Sequence, residues 1–426
     1  MLTVPSEVSL LLSGACNLAC AYCYLDRKRP RATMRWDTLA AALDAALGSG
    51  ATRLGVEFTG GEPLLEIALL ERAVDFIERR RPAGTRVEFS LTTNGTLLTR
   101  ALLSSLFARG FAIRLSFDGI SAVQDLRGPG TFAGLDRLLD RLRTEFPDEL
   151  RNRVTVAVTL VAAAIPRLAA SVRYLVDKGA TKITLGPRLT WDPDWRASSR
   201  EELKRQVDEI LDVAVDHWRH TGVVPVGFLA RPPLRERDAP VEDLLCGAST
   251  GMAFCVSPDG HALACSLFAA SLTTLPPLAS QASRAVDLGL VTDEGVVKRL
   301  TALADKAGAL GIFTHRLVKH SSYGACAECR FVADCQLCPA SICHIPGNRD
   351  PDLVPDFICA FNYVTLAARE RFDEITDGEV SAAWYREMKV ALAKLEVALQ
   401  GSAASAKRAR SRGAVRNHRR PTQRTC

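Results

Sequence analysis

Short apolar runs and longer amphipathic runs alternate along the first half of the chain. The apolar runs cover residues 7–12, 54–58, 86–91, 112–117, 153–160 and 181–185. Each is partly β-branched and ends in a polar or glycine-rich turn, which predicts a strand. The amphipathic runs predict helices over 36–47, 65–80, 100–109, 132–144, 166–178 and 199–220. Arg35 or Asp37 lies near the start of the first helix. Pro166 suits a first helical turn. Gly110 and Gly179 suit helix C-termini. Six strand–helix pairs in series predict an α/β fold on a parallel sheet with right-handed crossovers. Six pairs are too few to close an eight-stranded barrel. The choice is a doubly wound sheet or an open, partial barrel, and in either the active site lies at the C-terminal strand ends.

Candidate chemistry collects at those ends. Cys16-x3-Cys20-x2-Cys23 follows the first strand directly. A closed zinc site and a [4Fe–4S] cube each want four ligands. A cube held by three cysteines leaves one iron open to a ligand that is not protein. Thr59-Gly60-Gly61-Glu62-Pro63 follows the second strand. Its glycines permit close backbone approach to a ligand, and its carboxylate can hold an ammonium group. A tight turn before a helix is the plainer reading. Thr92-Thr93-Asn94-Gly95 ends the third strand, and Asn-Gly is equally a turn signal. Ser116-Phe117-Asp118-Gly119 ends the fourth, with Arg127 and Gly130-Thr131-Phe132 beyond it. Arg127 reads either as a solvated loop charge or as a bidentate partner for a carboxylate. The loop 189–200, with Trp191, Asp192, Asp194 and Trp195, overhangs the mouth and is a candidate substrate contact.

Composition narrows the class. At 47% apolar and 24% charged residues over 426 positions, this is a globular chain with room for two or three domains. No run approaches the ~20 apolar residues of a membrane span. Leu12-Ser13-Gly14-Ala15-Cys16 lacks the basic region and apolar length of a signal peptide. The reducing cytoplasm is the expected compartment. The net charge of +6 comes from the tail 406–426, which holds eight Lys and Arg and no acid; without them the charge is −2. The body is therefore not a basic nucleic-acid binder, and the tail reads as disordered.

Thirteen cysteines are many for a cytoplasmic protein. Three lie near the start and nine between Cys246 and Cys359, a clustering that reads as metal sites rather than disulfides. A linker rich in Pro, Arg and acid covers 231–242 and separates the halves. Beyond it run Cys246, Cys255, Gly260-x4-Cys265, then Cys326-x2-Cys329-x5-Cys335-x2-Cys338, Cys343 and Cys359. C-x2-C pairs also suit a zinc ribbon. Helices are expected over 365–374 and 382–399.

The three-cysteine loop, with Tyr22 before Cys23, and the GGEP motif resemble the radical SAM superfamily. The cysteine-rich half resembles the SPASM domain. Its pattern is matched except for x2 rather than x3 between Cys335 and Cys338. Together they resemble the peptide- and protein-maturing radical SAM/SPASM enzymes. The resemblance selects a partial (β/α)6 barrel and implies a division into barrel (1–225), linker (226–242), SPASM domain (243–370), C-terminal helix (371–400) and basic tail (401–426). It implies that Cys16, Cys20 and Cys23 hold a [4Fe–4S] cluster whose open iron binds S-adenosylmethionine (SAM). Electron transfer to the sulfonium would then yield a 5′-deoxyadenosyl radical. Tyr22 would lie beside the adenine, Gly60, Gly61 and Glu62 at the SAM amino group, Asn94 nearby, Ser116 at the ribose and Arg127 at the carboxylate.

The resemblance also implies two auxiliary [4Fe–4S] clusters. Cys246, Cys255, Cys265 and Cys338 would hold one; Cys326, Cys329, Cys335 and Cys359 the other. Cys343 and Cys426 are left over, with Cys343 an alternate ligand if the shorter spacing redirects its loop. The implied activity is hydrogen abstraction from a ribosomally made peptide to form a crosslink or other oxidative modification. The implied partners are that peptide, an electron donor such as flavodoxin or ferredoxin, and a separate peptide-recognition protein, since the sequence begins almost at the barrel. Formylglycine formation is the closest alternative. It is weakened because Ser266 stands where sulfatase-maturing enzymes carry a catalytic Asp; Asp259 and His261, nearby, read as turn residues. Small-molecule chemistry and a non-catalytic zinc or iron–sulfur scaffold are the other rivals.

Overall fold

The computed structural model describes residues 5–26, 28–29, 31–232, 234–235, 251–302, 316–383, 386 and 388–389. Cys246, Cys426, most of the expected linker 231–242 and helix 382–399, and the basic tail lie outside the described residues. Two compact units are present, one comprising Met1–Leu229 and Leu234–Phe372, the other Ala230–Pro233 and Asp373–Cys426. In the second, Ser381 Oγ donates to Asp373 Oδ1 at 2.5 Å. Among the described residues no helix is long and apolar enough to cross a membrane.

In the larger unit, β1 (Glu7–Leu11), β2 (Arg53–Thr59), β3 (Arg86–Thr93), β4 (Ala112–Ser116), β5 (Val154–Leu160) and β6 (Ile183–Pro187) lie side by side, parallel and in chain order. A doubly wound sheet reverses strand order at a switch point. These six strands run in one direction without a reversal, so the open, barrel-like alternative holds. The connecting helices are α1 (Trp36–Leu47), α2 (Ile67–Arg80), α3 (Arg100–Ala108), α4 (Ser121–Gln124), α5 (Phe132–Glu145), α6 (Pro147–Arg153) and α7 (Leu168–Asp177), with α8 (Ser199–Thr221) after β6. The short α4 and α6 are additions to the predicted set. Pro166 lies inside a 3-10 turn, Ala162–Arg167, that leads into α7.

The strands alternate. Val8, Leu10, Val56, Phe58, Leu91, Ile113, Leu115, Val156 and Ile183 are buried and share one face. Successive side chains on a strand point to opposite faces, so Ser9, Glu57 and Ser116 fall on the other. That face is polar and bonded to itself: Ser9 Oγ donates to Glu57 Oε2 at 2.6 Å, and Thr92 Oγ1 to Glu57 Oε1 at 2.9 Å.

The sheet does not stop at β1. β7 (Ala253–Val256) adds in parallel to its outer edge, with Glu7 opposite Ala253 and Leu10 opposite Val256. β8 (His261–Leu263) and β9 (Asp287–Leu290) follow antiparallel, completing a mixed nine-stranded sheet. Gly260 turns the β7–β8 connection with φ +92°, a conformation side chains rarely adopt. The long helix Asp356–Ile375 begins well before the predicted 365 because Phe357, Ile358, Phe361, Val364, Ala368 and Phe372 form one continuous buried stripe.

Candidate active site

The cysteine loop leaves β1 at its C-terminal end and is fixed from two sides. From β2, Gly61 N donates to Ser13 O and Glu62 N to Ala15 O, both at 2.8 Å. A Cβ on Gly60 would lie 2.5 Å from Ser13 O, and one on Gly61 only 2.1 Å from Ala15 O. The glycine pair is thus required by close approach to the cysteine loop itself. From β3, Asn94 Nδ2 donates to Asn17 Oδ1 at 2.8 Å and lies 3.9 Å from Cys16 Sγ. Thr96 Oγ1 accepts from Asn17 Nδ2 and donates to Asn94 Oδ1.

Glu62 is fully buried, and its carboxylate ties strand ends together. Oε1 accepts from Leu64 N and Thr93 Oγ1, and Oε2 accepts from Asn94 N at 2.8 Å. Burial raises its pKa against the pull of those three donors. The peptide backbone of Gly60–Gly61, rather than this side chain, is what the motif leaves near the loop.

The run after β4 forms a buried knot behind the loop. Arg127 donates from Nη2 to Asp118 Oδ1 at 2.8 Å and from Nε to Oδ2 at 3.2 Å. Tyr22 Oη donates to the same Oδ2, and Thr159 N to Oδ1 at 2.9 Å. The guanidinium carbon stands 5.4 Å from the Tyr22 ring centre. Arg127 is therefore not a solvated loop charge; its Nε and Nη2 are bonded to Asp118. Ala21 N donates to Leu126 O at 2.8 Å, which fastens this knot to the cysteine loop. Ser116 sits half-buried at the end of β4, opposite Ala157.

Burial pushes the Cys20 thiol up to about 11, with Arg127 pulling the other way and Cys23 and Cys16 adding to the rise. Cys16 is raised by burial too. Thiols in this state must lose protons as iron binds.

The segment after Cys265 packs onto the segment after Cys23. Asp26 N donates to Leu272 O at 2.9 Å, Thr273 Oγ1 to Tyr24 O at 2.7 Å and Thr274 Oγ1 to Asp26 Oδ2 at 2.5 Å. Tyr24 hydrogen-bonds Ser266 and lies near Cys23, Cys255 and Cys265. Cys255, on β7 opposite Ser9, is buried, and burial together with Cys265 drives its thiol well up. Cys338 opens the helix Pro339–Cys343, whose neighbour His344 bonds Leu267 O at 3.0 Å and stacks on Phe268. That brings the Cys343 end of this helix to the turn after Cys265. Cys343 is sealed from solvent, its thiol pushed up to about 12 by burial and Cys338. Asp259 accepts from Ser257 Oγ within the β7–β8 turn, whereas His261 Nδ1 pairs with Asp287 Oδ2 at 2.9 Å and ties β8 to β9.

Cys326, Cys329, Cys335 and Cys359 line one cavity of about 350 Å³. Burial pushes Cys326 to about 11 and Cys335 to about 12. Each thiolate of a [4Fe–4S] cube binds a different iron, so its cysteines surround a volume instead of converging on a point. Among the described residues no three His, Cys, Asp or Glu side chains converge on a single ion. Four thiols around one cavity fit a cube, and so do three on one loop with an open side.

The loop between β6 and α8 is folded, not loose. Asp192 Oδ2 accepts from Ala162 N at 2.9 Å, and Trp195 stacks on Phe357 with centroids 4.8 Å apart. Leu189 and Trp191 remain exposed on it.

Residues 10–161 match the family model of the radical SAM superfamily. They form a radical SAM domain. That family implies a [4Fe–4S] cluster and SAM. A solved structure of anSMEcpe with bound AdoMet superposes on this chain with a TM-score of 0.66 at 17% identity, covering 89% of this chain and 98% of that one. SuiB of Streptococcus suis, bound to its precursor peptide SuiA, matches at a TM-score of 0.55 and 15% identity, over 84% of this chain and 76% of that one. Both likenesses are of fold, and both reach past the radical SAM domain into the cysteine-rich half. In sequence, the serine-type anaerobic sulfatase-maturating enzyme of Klebsiella aerogenes is 32% identical over 51% of this chain and 54% of its own length. A GTP 3′,8-cyclase from Synechococcus sp. (strain CC9902) is 36% identical over 29% of this chain and 35% of its own. The chain spans about half the length of the sulfatase-maturating relative it matches.

Proposed function

We propose that this chain is a radical SAM maturase that modifies a ribosomally made peptide or protein. Cys16, Cys20 and Cys23 hold the SAM-binding [4Fe–4S] cluster; Cys326, Cys329, Cys335 and Cys359 hold one auxiliary cluster; Cys246, Cys255, Cys265 and Cys338 hold another. The observation that carries this is the pairing of a three-thiol loop at the C-terminal strand ends with four further thiols around one cavity. The bound cluster with SAM supplies a 5′-deoxyadenosyl radical. The chain's own residues hold the loop rigid through Gly60, Gly61 and Asn94, set Arg127 beside Cys20, and present Ser116 and the Gly60–Gly61 backbone toward the cofactor. The polar strand face and the loop bearing Leu189 and Trp191 receive the peptide. An electron donor such as flavodoxin or ferredoxin, a separate recognition protein and a cytoplasmic setting belong to the same reading.

Formylglycine formation is the second reading. It is favoured by the sulfatase-maturating relatives and by the fold shared with anSMEcpe, solved with a Kp18Cys peptide. Against it, Ser266 follows Cys265 and is bonded to Tyr24.

The test is iron and sulfide content after anaerobic purification, together with SAM cleavage under dithionite. About twelve irons per chain, falling to about eight in Cys16/Cys20/Cys23→Ala with loss of 5′-deoxyadenosine, is the expected result. About four irons plus zinc would remove the auxiliary clusters. No cleavage at full iron content would remove the enzyme. Mass spectrometry of a sulfatase peptide against a candidate precursor peptide separates the two readings.

A further inference from the structure

The cavity of Cys326, Cys329, Cys335 and Cys359 is not furnished by its own module alone. Arg200 stands in the first turn of α8, a barrel helix, yet it lines this cavity. Its guanidinium carbon lies 4.7 Å from the ring centre of Tyr323 and 5.0 Å from that of Tyr363. Two aromatic faces fix a cation there without neutralising it. Two neutral donors reach the sulfurs directly. Ser321 Oγ donates to Cys359 Sγ at 3.2 Å, and Asn362 Nδ2 donates to Cys335 Sγ at 3.4 Å. Both are held in place: Ser321 Oγ accepts from Tyr323 N at 3.2 Å, and Asn362 Nδ2 also reaches Gln336 O at 2.9 Å. Of the three, Arg200 comes from outside the cysteine-rich half.

Adding one electron to an iron–sulfur cube adds one negative charge. Hydrogen bonds to its sulfurs and a fixed nearby cation stabilise that charge, and so raise the potential at which the electron is accepted. We infer that Arg200, Ser321 and Asn362 are positioning residues that set the reduction potential of the cluster held by Cys326, Cys329, Cys335 and Cys359. The inference rests on the reading that these four cysteines hold a cluster.

The experiment uses the full chain carrying Cys16/Cys20/Cys23→Ala, so that only auxiliary signals remain. It is titrated with dithionite and mediators and followed by EPR. Arg200→Gln, Ser321→Ala and Asn362→Leu should each move one of two midpoints to more negative values and leave the other in place. For Arg200→Gln a tenfold fall in the reduced-to-oxidised ratio at fixed potential is expected, which is 59 mV for a one-electron couple. Arg200→Lys, which keeps the charge, should recover most of it. Both midpoints unmoved in all three variants, with iron still about eight per chain, overturns the inference. If Arg200→Gln sheds iron, Ser321→Ala and Asn362→Leu decide, since neither removes the cation. A parent protein that shows a single auxiliary couple, or zinc, overturns the cluster reading instead.

Discussion

Arg127 and Asp118 form a two-point ion pair nearly sealed from water, with side-chain exposures of 9% and 1%. The pair joins the end of β4 to the cysteine loop, because Tyr22 shares the carboxylate and Arg127 lies beside Cys20. Breaking a buried pair from one side leaves an uncompensated charge. Asp118→Asn should therefore cost about 3–5 kcal/mol, read as a lowered denaturation midpoint by circular dichroism. Asp118→Leu combined with Arg127→Met should recover part of this. The remaining deficit reflects Thr159 N and Tyr22 Oη, which lose their acceptor at about 1–3 kcal/mol each. Full additivity of Asp118→Leu and Arg127→Met in that double variant would contradict the pairing.

Gly61→Ala places a methyl 2.1 Å from Ala15 O, and backbone on both sides cannot yield cheaply. The expected result is loss of about four irons and of SAM cleavage, with the remaining iron retained. Gly134→Ala, in a helix with open space around it, is the control. It should keep all iron and gain up to about 1 kcal/mol of stability. Equal iron in both variants would separate the glycine pair from the cluster.

Cys338 and Cys343 stand at the two ends of one short helix, but Cys338 is partly exposed and Cys343 sealed. Cys338→Ser should lower iron by about four per chain, while Cys343→Ser leaves the count unchanged. The reverse result would make Cys343 the ligand and show that the short x2 spacing redirects the loop.

Trp195 pins the loop before α8 by stacking on Phe357. Trp195→Ala should open this loop to trypsin at Arg188, Arg196 or Arg200, and Phe357→Ala should do the same. Such stacked pairs contribute about 0.5–1.5 kcal/mol beyond their buried area. An unchanged cleavage rate would mean that the Asp192 bond to Ala162 N alone holds the loop.

Much of this architecture is legible in the residues. Six apolar runs separated by amphipathic ones lead to the six parallel strands, because each strand is long enough for its pattern to speak. β7 and β8 are not legible, being only four and three residues long, and the partner of β7 lies some 240 positions earlier. The position of Cys16, Cys20 and Cys23 follows from strand order. The fate of Glu62 and Arg127 does not. The spacing says nothing of their internal partners, three donors for Glu62 and Asp118 for Arg127. A motif names residue types, and the direction of each side chain depends on contacts that sequence spacing leaves open. Arg200, Ser321 and Asn362 carry no motif at all; Ser321 and Asn362 emerge from their bonds to sulfur, and Arg200 from the rings it lies over beside the cavity.

The pairing of β1 with β7 also bears on synthesis. β1 is made well before β7, and its outer edge waits for residues 253–256. At 5–20 residues per second the wait is roughly 10–50 s. During that time a strand carrying Val8, Leu10 and Leu11 has one unpaired side, the kind of edge that recruits other chains. Nascent chains stopped before β7 would thus be prone to aggregate even with the six-stranded half complete, and production of this protein would depend on chaperone cover until its cysteine-rich half emerges.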